Sequence, residues 1–174
     1  MEEAGEPLQH PTPRAQPVRE HRYTCQVDGS WAGNEAWMGV GFILPEANET
    51  ILQGQRCARR AQSPLHAEAE GIIWAMQEAR ERGFDDIMFV SDCQQLINLA
   101  CKEEEWPSIA AELDEIKLWR SKFNNVALSF VPRSDNFRAD SLAKGGRSRA
   151  QCFSYVNSLV PFWPAPEARL NEPV

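Results

Sequence analysis

The chain has 174 residues, with 18 Lys and Arg against 25 Asp and Glu, a net charge of −7 and a pI near 5.0. Its length suits one domain with an ordinary buried core, and a composition of 43% hydrophobic and 25% charged residues is that of a soluble globular protein. No apolar run approaches the ~20 residues of a membrane span, and the acidic balance argues against a protein that grips nucleic acid chiefly by net positive charge.

Residues 1–20 carry Pro7, Pro11, Pro13 and Pro17 and almost no large apolar side chains, so they read as a disordered leader. The leader has no apolar h-region, and Glu2, Glu3 and Glu6 open it in a way unlike a transit peptide. The five cysteines (Cys25, Cys57, Cys93, Cys101, Cys152) are odd in number and hold no CxxC pair, and the histidines are only His10, His21 and His66. Reduced thiols without a disulfide partner are expected, most of them small core residues, in a reducing intracellular compartment. Nucleus or cytoplasm fits, no organelle is excluded, and a monomer is expected.

A folded domain is expected over 21–157. Tyr23 to Asp28 alternates and reaches a turn at Gly29-Ser30, reading as a strand. Trp37 to Leu44 is a second strand stopped by Pro45, and Thr50 to Cys57 a third, the three forming an antiparallel meander. Ser63-Pro64 supplies an N-cap and a first-turn proline. Leu65, Ala69, Ile72, Ile73, Met76 and Ala79 then follow at helical steps until Gly83.

Ile87 to Ser91 is a short apolar strand of the buried parallel type, running into a helix from Asp92 to about Lys102. A helix over Ile109–Ser121 presents Leu113, Ile116 and Trp119 on one face; Val126 to Val131 is the last strand, and a closing helix begins near Ser134. The order is βββ-α-β-α-α-β-α: an α/β domain with a five-stranded mixed sheet, three antiparallel strands then two parallel, flanked by helices. Residues 158–174 form a second proline-rich tail, in which Phe162 and Trp163 are expected to pack back on the domain.

Four carboxylates sit where surface residues are less expected. Asp28 ends the first strand, Glu68 lies one turn into the first helix, Asp92 follows an apolar strand and Asp140 belongs to the closing helix. Singly each has an ordinary role: Asp92 as a helix N-cap, Asp28 as a turn residue, Glu68 as a first-turn charge, Asp140 as the exposed partner of Arg138 or Lys144. Together they converge if the first and fourth strands are neighbours, because ligands bind at the C-terminal ends of such strands. Converging carboxylates repel unless cations lie between them. Hard oxygen donors suit Mg²⁺ or Mn²⁺, and a pair of such ions would promote phosphodiester cleavage.

The element order and the motifs VDGS, SPLHAEAEGIIWAM, VSDCQQLI and NFRADSLAK resemble the type 1 ribonuclease H fold over about residues 23–150. They are most similar to the reverse-transcriptase-like ribonuclease H domains abundant in plants. The resemblance implies an endonuclease in which Asp28, Glu68, Asp92 and Asp140 hold two Mg²⁺ ions, with Mn²⁺ able to substitute, and hydrolyse the RNA strand of an RNA–DNA hybrid. Glu70 rivals Glu68 for the helix position.

The same resemblance places Gly29, Ser30, Asn34, Gln94, Arg133, Asn136 and Arg138 at nucleic-acid contacts, with RNA read through 2′-hydroxyl and backbone contacts. There are two departures. The stretch Phe130–Asp135 lacks the loop histidine of many members, and its Arg133 is no general base. Where some members carry a basic protrusion, Lys102–Trp106 is acidic, with Trp106 expected to pack.

Two other readings remain: a non-catalytic module that binds nucleic acid or a protein, and an exonuclease or transposase-like relative. The acidity is unevenly spread. Arg133, Arg138, Lys144, Arg147 and Arg149 face only Asp135 and Asp140 within 133–149, and Arg56, Arg59 and Arg60 form a second basic cluster. Salt-sensitive hybrid binding is therefore compatible with the net charge.

Overall fold

The computed structural model describes residues 20–102 and 104–159, so the proline-rich stretches 1–19 and 160–174, including Phe162 and Trp163, lie outside the described residues. Its strands are β1 (Tyr23–Ser30), β2 (Trp37–Glu46), β3 (Glu49–Arg59), β4 (Asp86–Ser91), β5 (Asn125–Phe130) and β6 (Phe153–Ser158). Its α-helices are α1 (Pro64–Glu81), α2 (Gln94–Lys102), α3 (Ala110–Arg120) and α4 (Phe137–Arg147). The sheet order is β5-β4-β1-β2-β3-β6. β1 is central, antiparallel to β2 and parallel to β4.

The expected mixed α/β architecture is present, with three corrections. The sheet has six strands, not five: β6 adds antiparallel to the outer edge of β3, from Cys57↔Phe153 to Leu52↔Ser158. The chain reaches it through a turn in which Ala150 takes φ 50. Pairing continues past the expected boundary at 157, as the Leu159 N–H donates to Ile51 O at 3.0 Å.

Pro45 does not stop β2, which runs to Glu46 across a register shift at Leu44/Pro45. Pairing with β1 extends only to Ile43, so the missing N–H of Pro45 removes no bond from that side. Gly29 and Ser30 likewise belong to β1, with Ser30 opposite Gly39, and the turn begins after them.

Period-two alternation divides β1 between the faces of the sheet. Val27 packs under α1, where Gly71 lets helix and sheet meet closely: a Cβ there would lie 3.2 Å from Val27 Cγ1. The main core forms on that side from Ile72, Met76, Phe42, Phe89, Leu96 and Trp74, whose ring meets Phe42 edge-on at 4.7 Å. Gly83, at φ 82, ends α1 where a side chain would be strained.

On the opposite face α4 lies directly on β2. A Cβ on Gly39 would overlap the Ala143 carbonyl, and one on Gly41 would stand 2.5 Å from Leu142 Cβ and 2.8 Å from Ala143 N. These neighbours are largely helix backbone and cannot swing aside. Gly41→Ala is therefore expected to lift α4, costing about 1–3 kcal/mol, read as a lower melting temperature.

The thiols only partly match expectation. Cys25 and Cys57 are core residues, Cys93 is half-buried, and Cys101 and Cys152 are exposed. No helix among the described residues is long and apolar enough to cross a membrane.

Candidate active site

The register between β1 and β4 brings the first two carboxylates together. Pairing runs from Tyr23↔Ile87 to Gln26↔Val90, so two residues further along, Asp28 stands level with Asp92, just beyond the end of β4. The Ser91 hydroxyl accepts from Cys93 N at 3.0 Å, and α2 begins only at Gln94. Asp92 is thus spared from the capping role that its position alone suggests.

Glu68 arrives from the first turns of α1. Ser63 caps that helix by accepting from His66 N, and Pro64 sits at its start. His66 fixes this end further: its ring nitrogens contact Ser63 Oγ at 2.7 Å and the Ser108 carbonyl at 2.9 Å. Gly29 allows close approach, since a Cβ would be 3.0 Å from the Ala67 carbonyl carbon, and its N–H donates to Glu68 Oε1 at 3.2 Å.

Asp140 is held by the seating of α4. Asn136, 0% exposed, donates from Nδ2 to Val27 O at 2.9 Å and so ties the start of the helix to the strand residue before Asp28. Asp140 then hydrogen-bonds with Asp28 and pairs with Lys144 Nζ at 3.0 Å. Asn136→Ala would leave a buried carbonyl unpaired and is expected to cost about 1–3 kcal/mol, seen as a lower melting temperature alongside weakened activity.

Asp28, Glu68 and Asp92 each offer an oxygen within 4.8 Å of the other two. Asp28 is 4% exposed and Glu68 8%. The nearby cation, Arg133, reaches Asp92 Oδ2 at 3.8 Å from a side chain that is 79% exposed. Burial, then the charges of Glu68 and Asp92, push the Asp28 carboxyl up to about 10. Burial and the Asp92 charge push Glu68 up to about 7, against lowering bonds from Asp28 and the Gly29 N–H. For Asp140 burial acts upward, but Lys144, the Asp28 hydrogen bond and Arg133 outweigh it and hold the group below its ordinary range.

This cluster fits a hard divalent cation. All its donors are carboxylate oxygens, and Glu68 Oε2 is buried with no hydrogen-bond partner.

The other expected residues are dispersed. Glu70 lies outside the cluster, with Arg56 as its charge partner. Asn34 is exposed in the β1–β2 turn, and Gln94 is exposed at the start of α2. Arg138 is exposed, its guanidinium 5.9 Å from the Phe137 ring centre. Asn136 is corrected from a nucleic-acid contact to a buried clamp, because no part of it reaches solvent.

A groove of about 350 Å³ beside the carboxylates is lined by Glu68, Asp92 and Arg133, and also by Pro64, Leu65, Cys93 and Gln95, which sequence reasoning did not select. The only signal for Gln95 was its nearness to Asp92. A larger cavity of about 680 Å³ lies between α2 and α3, lined by Glu104, Glu105 and Asp114 together with Lys117 and Arg120, and it holds none of the four expected carboxylates. Trp106, expected to pack, is 43% exposed at its wall.

A mixed sheet with carboxylates from β1, α1, the end of β4 and α4 defines the ribonuclease H type of α/β protein. Ribonuclease H1 from the archaeon Halobacterium salinarum superposes with a TM-score of 0.68 at 25% identity, covering 73% of this chain and 98% of that one. LC11 ribonuclease H1, recovered from compost and solved with an RNA/DNA hybrid, gives 0.66 at 18% identity over 74% and 99%. Residues 26–146 match the model of the reverse transcriptase-like family, and the chain belongs to that family. It is also 29% identical over 131 residues to the ribonuclease HI of Halobacterium salinarum, a stretch that is 74% of this chain and 65% of the length of that relative.

Proposed function

We propose that the chain is a divalent-metal-dependent ribonuclease H that hydrolyses the RNA strand of RNA–DNA hybrids within a reducing compartment of the cell. The observation that carries this reading is the convergence of Asp28, Glu68 and Asp92, with Asp140 bonded to Asp28, at the C-terminal ends of the central strands β1 and β4. Its likeness to ribonuclease HI supports the same reaction, and the hybrid bound by LC11 ribonuclease H1 supports the same substrate.

Asp28, Glu68 and Asp92 would hold Mg²⁺ or Mn²⁺, with Asp140 completing a site for two ions. Bound divalent cations supply electrostatic stabilisation to the charge that develops on the transferring phosphoryl group. The chain itself supplies position. Gly29 fixes Glu68 through its N–H, Asn136 fixes the origin of α4, and Lys144 orients Asp140. Arg133 offers an exposed guanidinium at the lip of the groove, fit to hold a phosphate but not to accept a proton.

The Arg133–Asp92 contact also favours a second reading, since it counters one carboxylate in a loop without histidine: a module that binds hybrid and turns it over slowly or not at all. Incubation of a hybrid labelled on its RNA strand separates the two. Cleavage with Mg²⁺ or Mn²⁺, abolished by chelator and by Asp92→Asn, is expected. Metal-independent product, or full activity of Asp92→Asn, overturns the hydrolase, and a gel shift without turnover under either metal establishes the binding module.

A further inference from the structure

The basic residues of the closing segment form a directed array. Asp140, Lys144 and Arg147 lie at i, i+4 and i+7 of α4, one stripe that starts at the carboxylates and ends two turns away, about 10 Å at 1.5 Å per residue. The backbone N of Arg147 lies over Gly39, and its guanidinium pairs with Glu35 at 3.3 Å. Two residues from Gly39 on the same face, Trp37 stands opposite Arg59, whose guanidinium is 4.3 Å from the Trp37 ring centre.

Arg149 is fixed in turn. Its Nε donates to Gln55 Oε1 at 3.0 Å, and its guanidinium stacks 3.7 Å over the ring of Phe153. Phe153 is the first residue of β6, the strand beyond the expected five. Along β2, four residues separate Gly41, the partner of Asp28, from Trp37, about 13 Å at 3.3 Å per residue.

We propose that this arginine–aromatic cluster at the C-terminal end of α4, completed by β6, binds the phosphate backbone of an RNA–DNA hybrid running out from the carboxylates. The proposal rests on the ribonuclease H reading and extends its substrate surface to a region that reading does not use. A strand advances about 3.4 Å per nucleotide, so the cluster meets phosphates three to four nucleotides from the scissile bond. Guanidiniums braced on rings are preorganised and lose less freedom on binding a phosphate. The stretch Glu104–Trp106 offers no such grip, so cations at this other edge would supply the electrostatic attachment.

The test uses the full chain with Arg59, Arg147 and Arg149 all changed to Ala, and a companion with all three changed to Lys. On a hybrid of about 20 bp, the Ala variant is expected to raise KM at least tenfold with kcat within about twofold. Its slope of log binding constant against log salt, measured by anisotropy, is expected to fall by about 2.7, or 0.9 per lost phosphate contact. The Lys variant keeps most of the slope, which separates charge loss from misfolding. A hybrid truncated within about three nucleotides of the carboxylates is expected to show neither effect.

An unchanged slope, or equal losses on long and truncated hybrids, overturns the proposal. So does loss of binding to anionic phospholipid vesicles with hybrid binding intact. Wild-type protein that binds hybrid but cleaves none, with the expected slope change in the Ala variant, refutes the hydrolase reading alone; normal wild-type cleavage with an unchanged slope in the Ala variant refutes this one alone.

Discussion

Asp28→Asn is expected to abolish hybrid cleavage and, in the metal-free protein at pH 8, to raise the melting temperature. The two effects have one cause. Asp28 is buried against Glu68 and Asp92 without a buried cation, and its carboxyl is driven up to about 10. At pH 8 the metal-free folded chain must therefore hold Asp28 protonated while the unfolded chain ionises it, which costs free energy, and a neutral amide of the same shape removes that cost. A relief of 1–2 kcal/mol corresponds to roughly 3–8 °C for a domain of this size. Activity is expected to fall by more than the ~100-fold that follows loss of an outer partner at metal sites. Differential scanning fluorimetry beside a cleavage assay checks both. A destabilised Asp28→Asn, or one that retains activity, contradicts the assignment.

The second large effect is a dependence of stability on pH that metal reverses. Asp28 has an ordinary value of 3.8 and a folded value of about 10. Below pH 4 folded and unfolded chains both carry the proton and the group contributes nothing to the pH dependence. Between these limits the folded chain binds more protons, so the stability of the metal-free protein falls as pH rises. Glu68, raised from 4.5 to about 7, adds to the same slope over its narrower window. Asp140 acts in the opposite sense, its contribution present above its ordinary 3.8 and lost only in acid.

Bound Mg²⁺ or Mn²⁺ requires the deprotonated forms and offsets their repulsion. The melting temperature gained on adding metal is therefore expected to grow steadily from pH 5.5 to 8.5. A gain independent of pH would place the cation elsewhere.

What the sequence made legible was the framework. Asp28 and Asp92 could be paired from two strand ends, because an apolar β4 sequence implies a strand buried beside the first. The cap at Ser63-Pro64 fixes where the helix begins, and Glu68 followed from the resemblance, through the small apolar residues Ile72, Ile73, Ala75 and Met76 after it. Less was legible where long-range contact decides the outcome. β6 is an edge strand whose residues are all at least partly exposed, so no clean alternation announces it, and only pairing with β3 makes it a strand. Pro45 reads locally as a stop, yet a one-sided partner tolerates it.

Asn136 looks like a polar residue available to substrate; its burial depends on Gly39 and Gly41 letting α4 down onto β2. Nor could the net charge of −7 reveal that Lys144, Arg147, Arg149 and Arg59 gather on one face.

The central claim is that these carboxylates gather divalent cations, and an anomalous-difference map from crystals soaked in Mn²⁺ tests it most directly. The account predicts anomalous density enclosed by Asp28, Glu68 and Asp92, with Asp140 at its margin, and none there in Asp28→Asn crystals. Saturating Mn²⁺ with that position empty in the wild-type protein, or manganese bound only elsewhere on the surface, would contradict it.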